Sequence, residues 1–138
     1  MGVVLDSTAL IGGERLGYTV PQILAHLQSL LGDQEIVIAA MTAAELVHGV
    51  WRAKTPAIRI RREEFVEEIF ARIAVRPMSL SVARIVGQID AKARTRGRTI
   101  PIADLLIGAT ALELGFAVAT ANIRHYRLIS GLHVRLVS

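Results

Sequence analysis

The sequence predicts an α/β domain built on a mainly parallel sheet of four or five strands. Three observations predict it. Short apolar runs of strand length recur along the chain. Segments with apolar residues at helical spacing lie between them. No long linker, repeat or low-complexity tract interrupts the alternation. Strands alternating with helices place neighbouring strands parallel, because each crossover carries the chain back to the same edge.

The elements follow in order. Val3-Val4-Leu5 is an apolar run ending at Asp6; it reads as a buried strand followed by a polar turn, Asp6-Ser7-Thr8. Pro21 opens a helix with Ile23, Leu24, Leu27, Leu30 and Leu31 on one face, and Gly32 stops it. Ile36–Ala39 is the second strand. Thr42 reads as the N-cap of a helix reaching about Ala53, with Leu46, Val47 and Val50 on one face. Pro56 begins a further helix through Phe70. One face carries Ile60, Phe65, Val66 and Ile69; the other carries mixed charges, a solvated surface. Ile73-Ala74-Val75 is a short third strand. Ser79–Arg96 is a helix with Leu80, Ala83, Val86, Ile89 and Ala93 inside, and Arg94–Arg98 forms a basic loop. Ile102 or Ala103 opens a helix that Gly115 ends. Phe116–Ala119 is the fourth strand, and residues His133–Val137 supply a fifth.

The 138 residues make one domain, expected over 1–138. With 52% hydrophobic and 20% charged residues the chain has the balance of a globular protein. It holds no cysteine, which excludes disulfides, thiolate metal sites and cysteine nucleophiles. Mean hydropathy is +0.46, yet the most apolar stretch, Ile102–Ala121, contains Asp104 and Glu113 with two glycines. A carboxylate inside a membrane span is costly, so no membrane association is expected. The first residues lack the basic and long apolar regions of a signal peptide, in keeping with a cytoplasmic protein. Net charge is +4, and 14 of the 16 basic residues are arginine. Arginine suits phosphate through its planar fork, so the charge permits nucleic-acid binding without requiring it.

In an open parallel sheet, ligands bind beyond the carboxyl ends of the strands. Asp6 follows the first strand. Glu45 lies in the helix start after the second. Asp104 sits in the first turn of the helix leading into the fourth, which Thr120, Asn122 and His125 follow. Three carboxylates remote in sequence can therefore meet at one edge. Such a group suits Mg²⁺ or Mn²⁺, hard cations that prefer carboxylate oxygen and relieve the repulsion between the acids. Each acid also has a plainer role: Glu45 in a capping box with Thr42, Asp104 as a helix-dipole partner, Asp6 as a turn residue. His48, three residues from Glu45, is expected at the surface or core edge, and His26 and His133 as structural. No serine-hydrolase elbow, P-loop or dinucleotide fingerprint is present.

Four segments, in order, resemble PIN domains of the VapC toxin group: Val4–Thr8, Thr42–Gly49, Ile100–Ala111 and Ala119–Tyr126, with Ile129–Leu132 similar to the family's closing turn. The resemblance implies a three-layer α/β/α PIN-like fold with Asp6, Glu45 and Asp104 ligating Mg²⁺ or Mn²⁺. It implies an endoribonuclease leaving 5′-phosphate and 3′-hydroxyl ends. It further implies a small VapB-like antitoxin whose tail lies along a groove walled by the helices from Thr42 to Phe70, and a homodimer. Thr8 resembles the hydroxyl residue that supports the site. The family commonly has a fourth acid near Asn122 or His125; here neither is acidic, and the residues are compatible with one metal ion or two. Leu46, Val50, Trp51 and Phe65 are core or antitoxin contacts, with core preferred except at Trp51. Two other readings fit the same residues: a non-catalytic RNA-binding PIN-like module, and a DNA nuclease or phosphatase on a similar scaffold.

Overall fold

The computed structural model describes residues 1–137. In chain order the elements are β1 (Gly2–Leu5), α1 (Ser7–Arg15), α2 (Val20–Leu31), β2 (Glu35–Ala39), α3 (Ala40–Trp51), α4 (Pro56–Arg72), β3 (Ala74–Arg76), α5 (Leu80–Thr95), α6 (Ile102–Leu114), β4 (Ala117–Thr120) and β5 (Val134–Leu136), with a 3₁₀ turn at Tyr126–Leu128. The five strands form one sheet in the order β3-β2-β1-β4-β5, and every pairing is parallel. Val4 stands opposite Val37 on one side and Val118 on the other.

Strands of such a sheet are covered on both faces, which is why β1 reads as an unbroken apolar run. Val3 and Leu5 point into a core with Leu10 of α1, Ile23 and Leu27 of α2, Leu46 and Val50 of α3, and Val66 and Ile69 of α4. Val4 and Val118 point the other way, against Ala93 of α5, Leu105 and Ile107 of α6, and Tyr126. The architecture is thus three layers, as expected from the sequence. The chain steps from β1 to β2 to β3, then returns across the sheet to β4 on the far side of β1. A step in the opposite direction puts its crossover helices on the opposite face when handedness is kept. The crevice between β1 and β4 is therefore the topological switch point.

Some expectations change. Residues 6–8 are not a free turn. Asp6 is the N-cap of α1, and its side chain accepts the Ala9 N–H. Thr42 is not an N-cap. Helix α3 starts at Ala40 behind Ala39, which offers no side-chain cap. Thr42 is instead buried inside the helix and its hydroxyl donates to the Leu5 carbonyl at 3.4 Å. The capping box lies at Thr19 and Gln22, at the head of α2. In α5 it is Val82 that enters the core, while Leu80 is 69% exposed at the first turn. Ile60 of α4 also faces solvent.

The apolar stretch from Ile102 divides between the 13-residue α6 and β4. Gly115, with φ of 72°, makes the break. Among the described residues no helix is long and apolar enough to cross a membrane. At the tip of the α3–α4 hairpin, Trp51 is 70% exposed and Arg59 of α4 lies over its ring, 5.4 Å from the centroid. Leu46 and Val50 are buried, so core packing accounts for them. His48, His26 and His133 are all exposed.

Candidate active site at the switch point

The site begins with β1. Its extended backbone ends at Asp6, whose N–H is bound by the Ala119 carbonyl of β4 at 3.2 Å. This ties the carboxyl ends of the two central strands together. Asp6 is 5% exposed. A carboxylate that deep needs hydrogen-bond donors, and three are present. Thr8 Oγ1 donates to Oδ1 at 2.6 Å, the Ala9 N–H to Oδ1 at 3.3 Å, and Thr120 Oγ1 to Oδ2 at 2.6 Å. Thr120 is the last residue of β4 and is fully buried. Its hydroxyl also accepts the Asn122 N–H at 2.9 Å. Thr8 Oγ1 accepts the Ala121 N–H at 3.1 Å. The two threonines therefore lock the Asp6 carboxylate to both strands.

Glu45 and Asp104 approach from two helices. Glu45 projects from α3, half-buried, and accepts Ser7 Oγ at 3.4 Å. Its pKa is raised above the ordinary 4.5, first by burial, then by the charges of Asp104 and Asp6, against a smaller opposing effect of the Ser7 hydroxyl. Glu45 thus feels both of the other acids. Asp104, in the first turn of α6, pairs through Oδ2 with His125 Nδ1 at 2.8 Å. His125 lies just before the 3₁₀ turn. Asn122 is exposed, and its Oδ1 accepts the Arg124 N–H at 3.2 Å. Its side chain shapes the turn after β4; it does not join the acids.

The fold thus brings Asp6, Glu45, Asp104, Thr8, Thr120 and His125 to one edge, with Asn122 at its rim. The acids stand apart from one another. Among the described residues no three His, Asp or Glu groups are gathered tightly enough to make a complete cation site as they stand. Each is held by its own neighbour: threonines, serine or histidine. Like charges repel without an intervening cation. The donor set, three carboxylates in an open arrangement, fits a hard cation that keeps several waters and does not demand an all-protein cage.

Two groups escape notice in the sequence. Ser7, which reads as a turn residue, reaches Glu45. Tyr126, which the sequence offers only as the end of the Ala119–Tyr126 segment, carries its hydroxyl into the field of all three acids. A polar aromatic directly after His125 is the one sequence signal for the latter.

The raised pKa of Glu45 has a measurable consequence. Folding binds its proton more tightly than the unfolded chain does. The stability linked to it is fully present below the unfolded value of 4.5 and is lost as pH rises through the folded value. In metal-free protein, the Glu45→Gln variant should gain stability relative to wild type across that rise. Paired urea titrations from about pH 4 to about pH 8, from the ordinary carboxylate range upward, check this. A stability difference that stays flat with pH would contradict it.

Two cavities flank the acids. One of about 580 Å³ lies between α1 and α2, with Thr8 and Ala121 at its inner edge and Ile23, Leu27 and Tyr18 in its walls. The other, about 240 Å³, runs between α1, α3 and α4 and is lined by Glu14, Glu45, Leu46, Gly49, Arg62 and Phe65. Arg62 donates to the Gly49 carbonyl at 2.9 Å and joins the two helices of that wall. Burial raises the pKa of Glu14 there, opposed by Arg62 and Arg15.

Comparison with known proteins agrees with the fold. The model of the PIN domain family matches residues 3–129. The ribonuclease VapC1 of Rickettsia felis is 27% identical over 138 residues, covering 100% of this chain and 98% of its own. The toxin FitB of Neisseria gonorrhoeae is 34% identical over 105 residues, covering 73% of this chain and 74% of its own. Among solved structures, VapBC2 of Rickettsia felis bound to a promoter DNA fragment superposes with a TM-score of 0.86 at 20% identity, over 100% of both chains. With the sheet order and a family match spanning nearly the whole sequence in agreement, the chain belongs to the PIN domain family.

Proposed function

We propose that this chain is a divalent-cation-dependent endoribonuclease and the toxin of a toxin–antitoxin pair. The observation that carries the reading is that Asp6, Glu45 and Asp104, from three separate elements, stand along one edge at the switch point of the sheet, with Glu45 in the field of the other two. The names of the relatives support it: one is a ribonuclease, another a toxin.

Mg²⁺ or Mn²⁺ held by the three acids would polarise a phosphodiester and activate a water for in-line displacement. The chain's own residues prepare that chemistry. Thr8 and Thr120 fix the Asp6 carboxylate so that it need not reorganise. His125 orients Asp104 and Ser7 steadies Glu45. The net charge of +4, carried mostly by arginine, draws a polyanion toward the edge. The antitoxin is a VapB-like chain whose tail lies in the cleft between α1, α3 and α4. Glu45 stands in the wall of that cleft, so an occupant there reaches the acids directly.

The test is cleavage of RNA by the purified chain with Mg²⁺ or Mn²⁺, and again with EDTA, beside a DNA oligonucleotide of matching sequence. The expected result is cutting of RNA alone, with 5′-phosphate and 3′-hydroxyl ends, abolished by EDTA. RNA binding without cutting in either condition would replace this reading with a non-catalytic module.

A further inference from the structure

Among the described residues, one buried side-chain polar atom lacks a hydrogen-bond partner: the hydroxyl of Tyr126. Tyr126 is 2% exposed and opens the 3₁₀ turn that follows β4. Its ring is ordinary core, packed among Val4, Val118, Leu105 and Ile107. Its hydroxyl is not. It is directed toward Asp6, without reaching regular hydrogen-bond geometry, and Asp104 and Glu45 also act on it. Burial and these charges keep the phenol protonated far beyond its ordinary range.

A buried hydroxyl without a partner costs about 1–3 kcal/mol. Phenylalanine would fill the same space among the same neighbours without that cost. The position of the hydroxyl is therefore unexplained by packing. Asp6 already takes Thr8, Ala9 and Thr120, so about one of its roughly four acceptor positions is left, the one a cation would claim. What Tyr126 lacks is a polar partner of its own on the side of the acids.

We propose that the Tyr126 hydroxyl is a positioning group for the divalent cation, hydrogen-bonded to the ion's hydration shell and oriented by Asp6. This rests on the reading of the three acids as the cation's ligands. A cation's waters are strong donors, and Tyr126 Oη offers them an acceptor lone pair, while its O–H faces the Asp6 side without a regular bond. Groups of this kind, one bond removed from the ion, change metal affinity by about 10–100-fold. Tyr126 touches neither substrate nor leaving group here; it acts through the ion it steadies.

The test is Mn²⁺ binding by isothermal titration calorimetry to wild type and the Tyr126→Phe variant, with thermal melting of both in EDTA. The expected result is Mn²⁺ affinity about 10-fold weaker in the variant, with a metal-free melting temperature equal to or above wild type. Equal Mn²⁺ affinity in the two proteins would overturn the inference and leave the cation site standing. A metal-free variant that melts well below wild type would also overturn it, because a full bond to Asp6 would then account for the hydroxyl by itself. A wild type that binds no Mn²⁺ would remove the inference and the cation site together.

Discussion

The Asp6→Asn variant should lose at least about 100-fold in RNA cleavage, the scale seen when a preorganised electrostatic group is removed, while remaining folded. The two halves of that expectation come from the same hydrogen bonds. Asparagine caps a helix about as well as aspartate. Its Oδ1 can keep the bonds from Thr8 Oγ1 and the Ala9 N–H. Its NH₂ meets Thr120 Oγ1, which now has to accept. The Thr120 proton has an alternative in the Asn122 carbonyl, 3.1 Å away. Every polar atom therefore retains a partner, and the stability cost should stay within about 1 kcal/mol. What disappears is a buried negative charge and its pull on a cation. Single-turnover cleavage beside a urea melt separates the effects. Cleavage within a few-fold of wild type would show that Asp6 is a cap and nothing more.

The largest stability effect should follow from Leu5→Ala, at about 3 kcal/mol and within the usual range for a leucine removed from a core. Leu5 is completely buried on the central strand, paired with Ile38 on one side and Ala119 on the other. A strand bonded on both edges has little freedom to collapse into the space left behind, so most of the cavity would persist. Urea denaturation followed by far-ultraviolet circular dichroism measures the loss; a value below about 1 kcal/mol would mean that the core repacks. Leu5 also precedes Asp6 and accepts the Thr42 hydroxyl. Cleavage by the surviving folded fraction should fall as well.

The central sheet was legible because the inner residues of β1, β2 and β4 are buried on both faces and are apolar. Gly32 and Gly115, both with positive φ, marked the helix ends for the same kind of reason: few other residues adopt that conformation. Helix α1 was hidden. Its Ser-Thr-Ala-Leu-Ile-Gly-Gly sequence has low helical preference, and what starts it is the Asp6 side chain bound into the site. Thr42 misled because a capping box is a local pattern, whereas the start of α3 is set by where β2 ends. The acids could be placed on an edge from sequence, since strand ends define edges. Their partners could not. Thr120 lies 114 residues from Asp6, and Tyr126 becomes informative only when its hydroxyl is seen without a partner.

The exposed Trp51 with Arg59 stacked on it has a practical use. It is the sole tryptophan in the chain, and it sits on the same helix as Glu45 but at the solvent end. Its native fluorescence should already resemble that of an indole in water, so unfolding will shift the emission colour little. A ligand closing over the α3–α4 hairpin would change its surroundings far more. The protein thus carries a built-in optical probe for events on this hairpin, one largely blind to the state of its interior.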